Sequence, residues 1–342
     1  MTIRIGLIGY GVGGQLFHAP YITASERCEL VGIVARSAAR VAAARRDHPE
    51  VPVFSGMGEL IDAGADLVVI STPPETRQAL VLEAIGRGVH VVADKPFAPS
   101  ASAGQELADA AAARGVILNV FHNRRFDTDV VTARSVIASG ELGRITRLDL
   151  RCDQEDASTL EGGPGGGLLR DMGSHVIDQA LDLLGPARAV SAQMDWLELP
   201  AGPTDTGFVI TVLHRSGAHS HISASKINHL SSRELRVHGE LGSYVSDYTD
   251  VQFEAVRSGR RPEGARTDWG YETESRWGTL STSDGTRPIP SLQGDYALFY
   301  DRIAAAVEGD GQEPVPALEG VAVLRVLDAA RLSAAEDRTV IL

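Results

Sequence analysis

The sequence predicts a doubly wound α/β domain over residues 1–121, followed by an α+β domain over 122–342 built on an open, mostly antiparallel sheet. Three observations predict it. The first third of the chain alternates short apolar segments with helical ones, whereas residues 187–256 alternate strand-like segments without convincing helices among them. The chain's 342 residues also exceed one core, at about 100–200 residues per domain.

The elements follow in order. Strand "RIGLIG" leads to a helix near 14–24, strand "ELVGIVA" to an Ala/Arg-rich helix near 37–46, and "DLVVIS" and "VHVVA" flank a helix over 75–86. A further helix over 100–114 precedes "VILNV" at 116–120. Short strands that are almost wholly apolar and separated by helices are buried on both faces, as in a parallel sheet. A helix over 128–138 then leads to strand "RITRLDLRCD", a glycine-rich loop "GGPGGG" at 162–167 and a helix near 173–184. Strands "GFVITVLHR", "AHSHISAS", "RELRVHG" and "GSYVSDY" come next. The polar Arg/Gly/Pro-rich stretch 257–291 is expected to be a long loop, and helices near 293–308 and 317–336 close the chain.

Hydrophobic residues at 43% and charged residues at 23% fit an ordinary soluble globular protein. No apolar run approaches the ~18 residues of a spanning helix, so no membrane partner is expected. The N-terminus reads as a strand and turn rather than a secretion signal, and the expected address is the cytoplasm. Cys28 and Cys152 belong to no CxxC or Cys/His cluster and are expected as buried thiols. A net charge of −13 with no lysine-rich block argues against nucleic acid as a partner. Lys95 and Lys226 are the only lysines, which makes each worth explaining.

The chemistry begins at Gly9-Tyr10-Gly11-Val12-Gly13-Gly14, where Gly9, Gly11 and Gly14 match G-x-G-x-x-G between a strand and a helix. This is the form of a Rossmann dinucleotide-binding turn: Gly9 permits the tight turn, Gly11 the approach of pyrophosphate, and Gly14 close helix–strand packing. Such a turn suits an enzyme that exchanges hydride with a nicotinamide. The second strand ends Val34-Ala35-Arg36-Ser37, with no acid to accept the ribose 2′-hydroxyl. A guanidinium pairs well with a 2′-phosphate, so NADP preference is expected, with NAD use possible. The competing reading makes Arg36 a solvated helix-start residue with mixed cofactor use.

Ser71, Thr72 and Pro73 follow the fourth strand and Asp94-Lys95-Pro96 the fifth, at the carboxyl edge where open α/β sheets bind ligands. Ser71, Thr72, Pro73, Asp94 and Lys95 are therefore cofactor-side candidates. Lys95 can also donate to a substrate oxygen, or exchange a proton if burial lowers its pKa. Lys226 sits in a strand-patterned segment without such a context and is expected to be structural or on the surface.

A third cluster runs from Gly165 to Asp178. If its helix begins near Asp171, then Asp171, His175 and Asp178 share one face at i, i+4, i+7. A carboxylate one turn from an imidazole fixes its tautomer and suits it to take a proton from an alcohol. The competing readings make Asp171 merely an N-cap and His175 a satisfied helix histidine, and Asp178 is expected to be structural. No metal is expected, because no further ligand cluster accompanies this face. His122-Asn123-Arg124-Arg125-Phe126 offers Asn123 and Arg124 to substrate hydroxyls, while the arginines could as well pair with acids at the domain boundary. His18 in "FHAP", His214, His219 and His221 show no metal spacing and are expected in core or surface positions.

The motifs "GYGVGG", "STPP", "DKP", "NRRFD" and "GGGLLRDMGSHVIDQALDLLG" together resemble the glucose-fructose oxidoreductase/inositol dehydrogenase family, Gfo/Idh/MocA, over nearly the whole chain. Through "FHAP", "FHNRRFD", "DMGSHVIDQ", "RVHG" and "IPSLQGDY" the chain is most similar to that family's NADP-dependent scyllo-inositol 2-dehydrogenase group. The resemblance implies that Lys95, Asp171 and His175 form the catalytic set, with His175 as acid/base, and that the Lys95–Pro96 peptide is cis. It implies oxidation of a secondary alcohol of a cyclic polyol or sugar to a ketone, or the reverse, and a homodimer or homotetramer built on the outer sheet face. Two departures stand out: Asp94 replaces the usual Glu, and Arg77 stands where many relatives carry His. The competing functions are a non-catalytic dinucleotide-binding regulator and a nicotinamide-using glycoside hydrolase.

Overall fold

The computed structural model of the chain describes residues 2–163, 166–247 and 250–342. These fall into two compact units. One comprises Met1–Asn123, Val251–Trp269 and Asp295–Val321; the other comprises Arg124–Asp250, Gly270–Gly294 and Ala322–Leu342. The first unit thus takes in two later stretches that a single boundary after residue 121 leaves out.

In the first unit, strands β1 (Ile3–Ile8), β2 (Cys28–Val34), β3 (Val53–Phe54), β4 (Leu67–Ile70), β5 (His90–Asp94) and β6 (Leu118–Phe121) are all parallel, in the order β3-β2-β1-β4-β5-β6. The strand order reverses at β1, which puts the ligand-binding switch point at its carboxyl end. Every residue of β4 is buried, because Leu67-Val68-Val69-Ile70 has no polar side chain to leave on either face. The helices are α1 (Ala19–Ala24), α2 (Ala38–Asp47), α3 (Met57–Asp62), α4 (Pro74–Gly86) and α5 (Ala101–Arg114). Ser37 and Ser100 cap α2 and α5 by accepting from the backbone N–H groups of Arg40 and Ala103, both at 3.3 Å. Gly115, at φ 69°, ends α5 in the left-handed region.

The second unit holds α6 (Thr128–Ala138), β7 (Ile145–Asp153), α7 (Ser174–Leu184), β8 (Ala187–Leu199), β9 (Gly202–His214), β10 (His219–Ser225), β11 (Ser232–Gly239), β12 (Gly242–Asp247), β13 (Gly278–Thr282), β14 (Gly285–Ile289) and β15 (Val340–Ile341). Its nine strands lie in the order β14-β13-β12-β11-β7-β10-β9-β8-β15. Only β7 and β10 pair in parallel, so the sheet is mixed and mostly antiparallel, as expected. Helix α7 packs on β7 and β10 and buries Ser174 through Ala180.

Helices α8 (Val251–Arg257), α9 (Ala297–Val307) and α10 (Ala317–Glu336) complete the chain. The first two finish the first unit's core: Tyr21 lies 5.1 Å from Tyr296 and 6.1 Å from Trp269, and Phe121 lies 5.0 Å from Phe299. Two expectations are corrected. Residues 251–256, read with the strand stretch 187–256, form a helix that runs on to Arg257, and 278–289 form a hairpin inside the stretch read as loop. Cys28 and Cys152 are free, buried thiols, and burial pushes Cys28 up to about 11. Among the described residues no helix is long and apolar enough to cross a membrane.

Candidate active site

The glycine turn leaves β1 with Gly9 at φ 100°, where a Cβ would stand 2.3 Å from the carbonyl oxygen of Ser71. A Cβ on Gly14 would stand 2.2 Å from the carbonyl oxygen of Gly9, so the third glycine closes the turn on itself. At Gly11 a Cβ would meet nothing within 4 Å, and neighbouring Val12 is 59% exposed. The two outer glycines are thus required by the protein's own backbone, while the middle one faces the open space that an approaching pyrophosphate needs. The residues present fit a dinucleotide. Tyr10 points inward: its hydroxyl donates to Asp47 Oδ2 at 3.1 Å, which also accepts from Gln15 Nε2 at 2.8 Å, tying the turn to the end of α2. After Gly13 the chain winds as a widened π-type turn to His18 before α1. Arg36 is exposed beyond β2, one residue before the Ser37 cap.

A Cβ on Gly13 would stand 2.5 Å from Ser71 Oγ and 3.1 Å from Asp94 Oδ2, so the turn abuts the ends of β4 and β5. There Asp94 is the hub. Its Oδ2 accepts from Ser71 Oγ at 2.7 Å and its Oδ1 lies 3.1 Å from His18 Nε2, whose Nδ1 is 2.6 Å from the Tyr300 hydroxyl. Burial works against the Asp94 charge, but His18, Arg77 and Ser71 outweigh it and hold the carboxyl far below the ordinary range. Arg77 is buried and grips the loop beyond. Its Nη1 donates to the carbonyls of Asp94, Lys95 and Pro96 at 3.3, 2.7 and 2.9 Å, and its Nε to that of Thr72 at 2.9 Å. The Lys95–Pro96 peptide is cis and Lys95 is half-buried. Thr72 and Pro73 lie at the start of α4, Pro73 exposed, and Asn123 is buried at the end of the unit's first stretch.

Asp171 and His175 belong to the second unit. Pro164 and Gly165 of the glycine-rich loop lie outside the described residues, as does Tyr248 at the end of "GSYVSDY". Helical winding begins at Leu168, earlier than expected, and Leu169–Gly173 forms a π-type turn before α7, so Asp171 sits inside this turn rather than at its start. Asp205 holds it: its Oδ2 accepts from the Leu169 N–H at 2.5 Å, and a Cβ on Gly167 would collide with its Oδ1 at 2.0 Å. His175 is buried on the first turn of α7. Asp178 is structural, gripped by Arg125 through Nε at 2.9 Å and Nη2 at 2.6 Å. Arg124 donates to Asp127 at 3.1 Å and pairs with Asp250 at 2.8 Å, so both arginines of this segment pair with acids.

Sequence reasoning passed over three residues. His18 contacts Asp94 rather than merely filling the core, and Arg77 clamps the Lys95 loop. Lys226 is buried with its Nζ 3.2 Å from Asp171 Oδ2, and its rarity was the only available signal.

A family model described as the NAD-binding Rossmann fold of an oxidoreductase family, GFO_IDH_MocA, matches residues 3–122, and the GFO/IDH/MocA C-terminal domain matches 130–245. The chain belongs to the Gfo/Idh/MocA oxidoreductase family. It is an NAD(P)-dependent dehydrogenase acting on CH–OH groups. Like this Gfo/Idh/MocA chain, the uncharacterized oxidoreductase YdgJ of Escherichia coli K12 is full-length similar, at 34% identity over 100% of this chain and 99% of that one. The scyllo-inositol 2-dehydrogenase (NADP(+)) IolW of Bacillus subtilis is 31% identical over 100% of this chain and 96% of its own. The solved structure of yvaA from Bacillus subtilis superposes with a TM-score of 0.91 at 31% identity, covering 100% of this chain and 98% of that one.

Proposed function

We propose that this dehydrogenase prefers NADP and interconverts a secondary alcohol of a cyclic polyol or sugar with its ketone. The observation that carries the reading is the shared edge of the first unit. The glycine turn abuts Ser71 and Asp94, and the next residue is the unit's only lysine, on a loop clamped at three successive carbonyls. Arg36 beside Ala35 supports NADP, because a guanidinium welcomes a 2′-phosphate and no carboxylate repels it. The similar IolW protein is named for NADP and scyllo-inositol.

When bound, the nicotinamide supplies the two-electron acceptor at its C4. The chain supplies the rest. Gly11 admits the pyrophosphate, and Ser71, Thr72 and Pro73 border the nicotinamide side. Lys95 and His175 are the candidates for taking the hydroxyl proton, with Asp171 keeping the imidazole oriented and Asn123 binding substrate. Copies assemble through the outer sheet face, where Val209 of β9 is 54% exposed. We place its work in the cytoplasm, where the thiols of Cys28 and Cys152 stay reduced.

Absorbance at the NADPH band, followed across inositol isomers and aldoses with both cofactors, tests this reading. Turnover of at least one polyol with higher kcat/KM for NADP is expected; higher kcat/KM for NAD overturns the cofactor assignment.

A further inference from the structure

We propose that Lys226 is a positioning residue that keeps the Asp171 carboxylate ionised and fixed in place for the reaction. The inference rests on the reading of Asp171 as part of the active site. Lys226 Nζ lies 3.2 Å from Asp171 Oδ2, with the Lys226 side chain 5% exposed and that of Asp171 51% exposed. The pair is lopsided: its cation is inside the protein and its anion at the surface. An ammonium is among the costliest groups to bury, and a surface aspartate needs no buried partner to remain charged and hydrated. What marks this pair is that the buried ammonium is paired with a half-exposed carboxylate of the candidate site. The arrangement makes sense if the exposed carboxylate has work to do and must not rotate or take up a proton while doing it.

Both ends are anchored. Lys226 directly follows β10, which is paired on one side with β7 and on the other with β9, and its N–H donates to the Thr206 carbonyl at 3.0 Å. Asp171 sits on the turn that Asp205 holds through the Leu169 N–H, and the Ser174 hydroxyl donates to the Asp171 carbonyl at 2.9 Å. The ammonium therefore meets a carboxylate whose backbone is already fixed, and what it adds is side-chain orientation and charge. Lys226 acts on the substrate only through Asp171. Removing a cation from beside a carboxylate makes protonation easier, so the acid limb of kcat/KM should move to higher pH.

The test uses the full chain and the variants Lys226→Met, Lys226→Arg and Asp171→Asn. Lys226→Met should lower kcat/KM for a polyol about tenfold or more, chiefly through KM, and shift the acid limb upward. Lys226→Arg should restore most of both, and affinity for NADPH should not change. A lowered Tm with an unmoved acid limb and unchanged KM overturns the proposal. Because the chain has only two lysines, protein labelled with 15N at lysine Nζ shows two side-chain resonances, and Lys95→Met assigns them. Asp171→Asn should move the Lys226 resonance and speed exchange of its protons with water; an unmoved resonance overturns the pairing. This arm needs no substrate and only folded Asp171→Asn protein. A wild-type chain inactive on every polyol and sugar overturns the reading of the site, while the resonance separately decides whether Lys226 holds Asp171.

Discussion

Arg77 holds its place at the edge of the first unit's sheet through four backbone acceptors. A guanidinium carries five donors in a fixed fork, which lets one side chain reach the carbonyls of Thr72, Asp94, Lys95 and Pro96 together. Arg77→Ala leaves those acceptors to find other donors in a buried site. It should destabilise the protein by about 3–5 kcal/mol, read as a lower denaturant midpoint, and lower kcat/KM. Lys95→Met should instead spare stability and lower kcat by about 10²–10⁴, with NADP affinity kept within about tenfold. Full activity in that variant would remove Lys95 from the chemistry. The sequence offered Lys95, Asp171 and His175 as candidates, the lysine by its rarity and the other two by their helical spacing. It did not show His18, Arg77 or Lys226, whose roles depend on partners 76, 18 and 55 residues away. No local spacing encodes such partners.

Among the elements, those legible in the sequence were the ones whose burial matches one period. Strand β4 is apolar throughout, and α6 was expected over the residues it occupies, 128–138. Misreadings came where two periods compete. The "VQFEAV" of α8 alternates apolar and polar residues as a strand would, yet it forms a helix. The β13–β14 hairpin was hidden by polar composition, and Pro288 is tolerated there because β14 is an edge strand. The glycine turn separates fold from function at this scale. Gly14→Ala drives a Cβ into the Gly9 carbonyl and should lower Tm by several degrees, roughly 2–4 °C for each kcal/mol of strain. Gly11→Ala meets no protein atom and should leave Tm nearly unchanged while weakening NADPH binding about tenfold or more. Equal effects of the two on Tm would contradict the division of roles.

Across the whole molecule, chain order and compact unit do not coincide, because residues 251–269 and 295–321 return to the first unit. A fragment ending at residue 121 lacks Tyr296, Phe299, Tyr300 and Trp269, and composition could not reveal that debt. The chain crosses repeatedly between units, so we expect one cooperative unfolding transition whose pH dependence collects carboxylates from both. Two carboxylates act with opposite sign. Asp94 has a folded pKa held below its unfolded value of about 3.9, so its stabilisation is complete above that pH and is lost as pH falls further. Asp129 is buried near Asp127, and burial first, then the Asp127 charge, push its carboxyl well above the ordinary range. The folded state then holds a proton that the unfolded state has released, so stability declines as pH rises from about 4 toward the raised value. Tm plotted against pH should therefore peak on the acid side of neutrality. Asp129→Asn should flatten the alkaline decline and raise Tm at pH 8, whereas Asp94→Asn should lower Tm at neutral pH and flatten the acid limb. Differential scanning calorimetry from pH 3 to 9 reads both limbs, and an Asp129→Asn profile parallel to wild type would show that Asp129 is ionised in the folded protein.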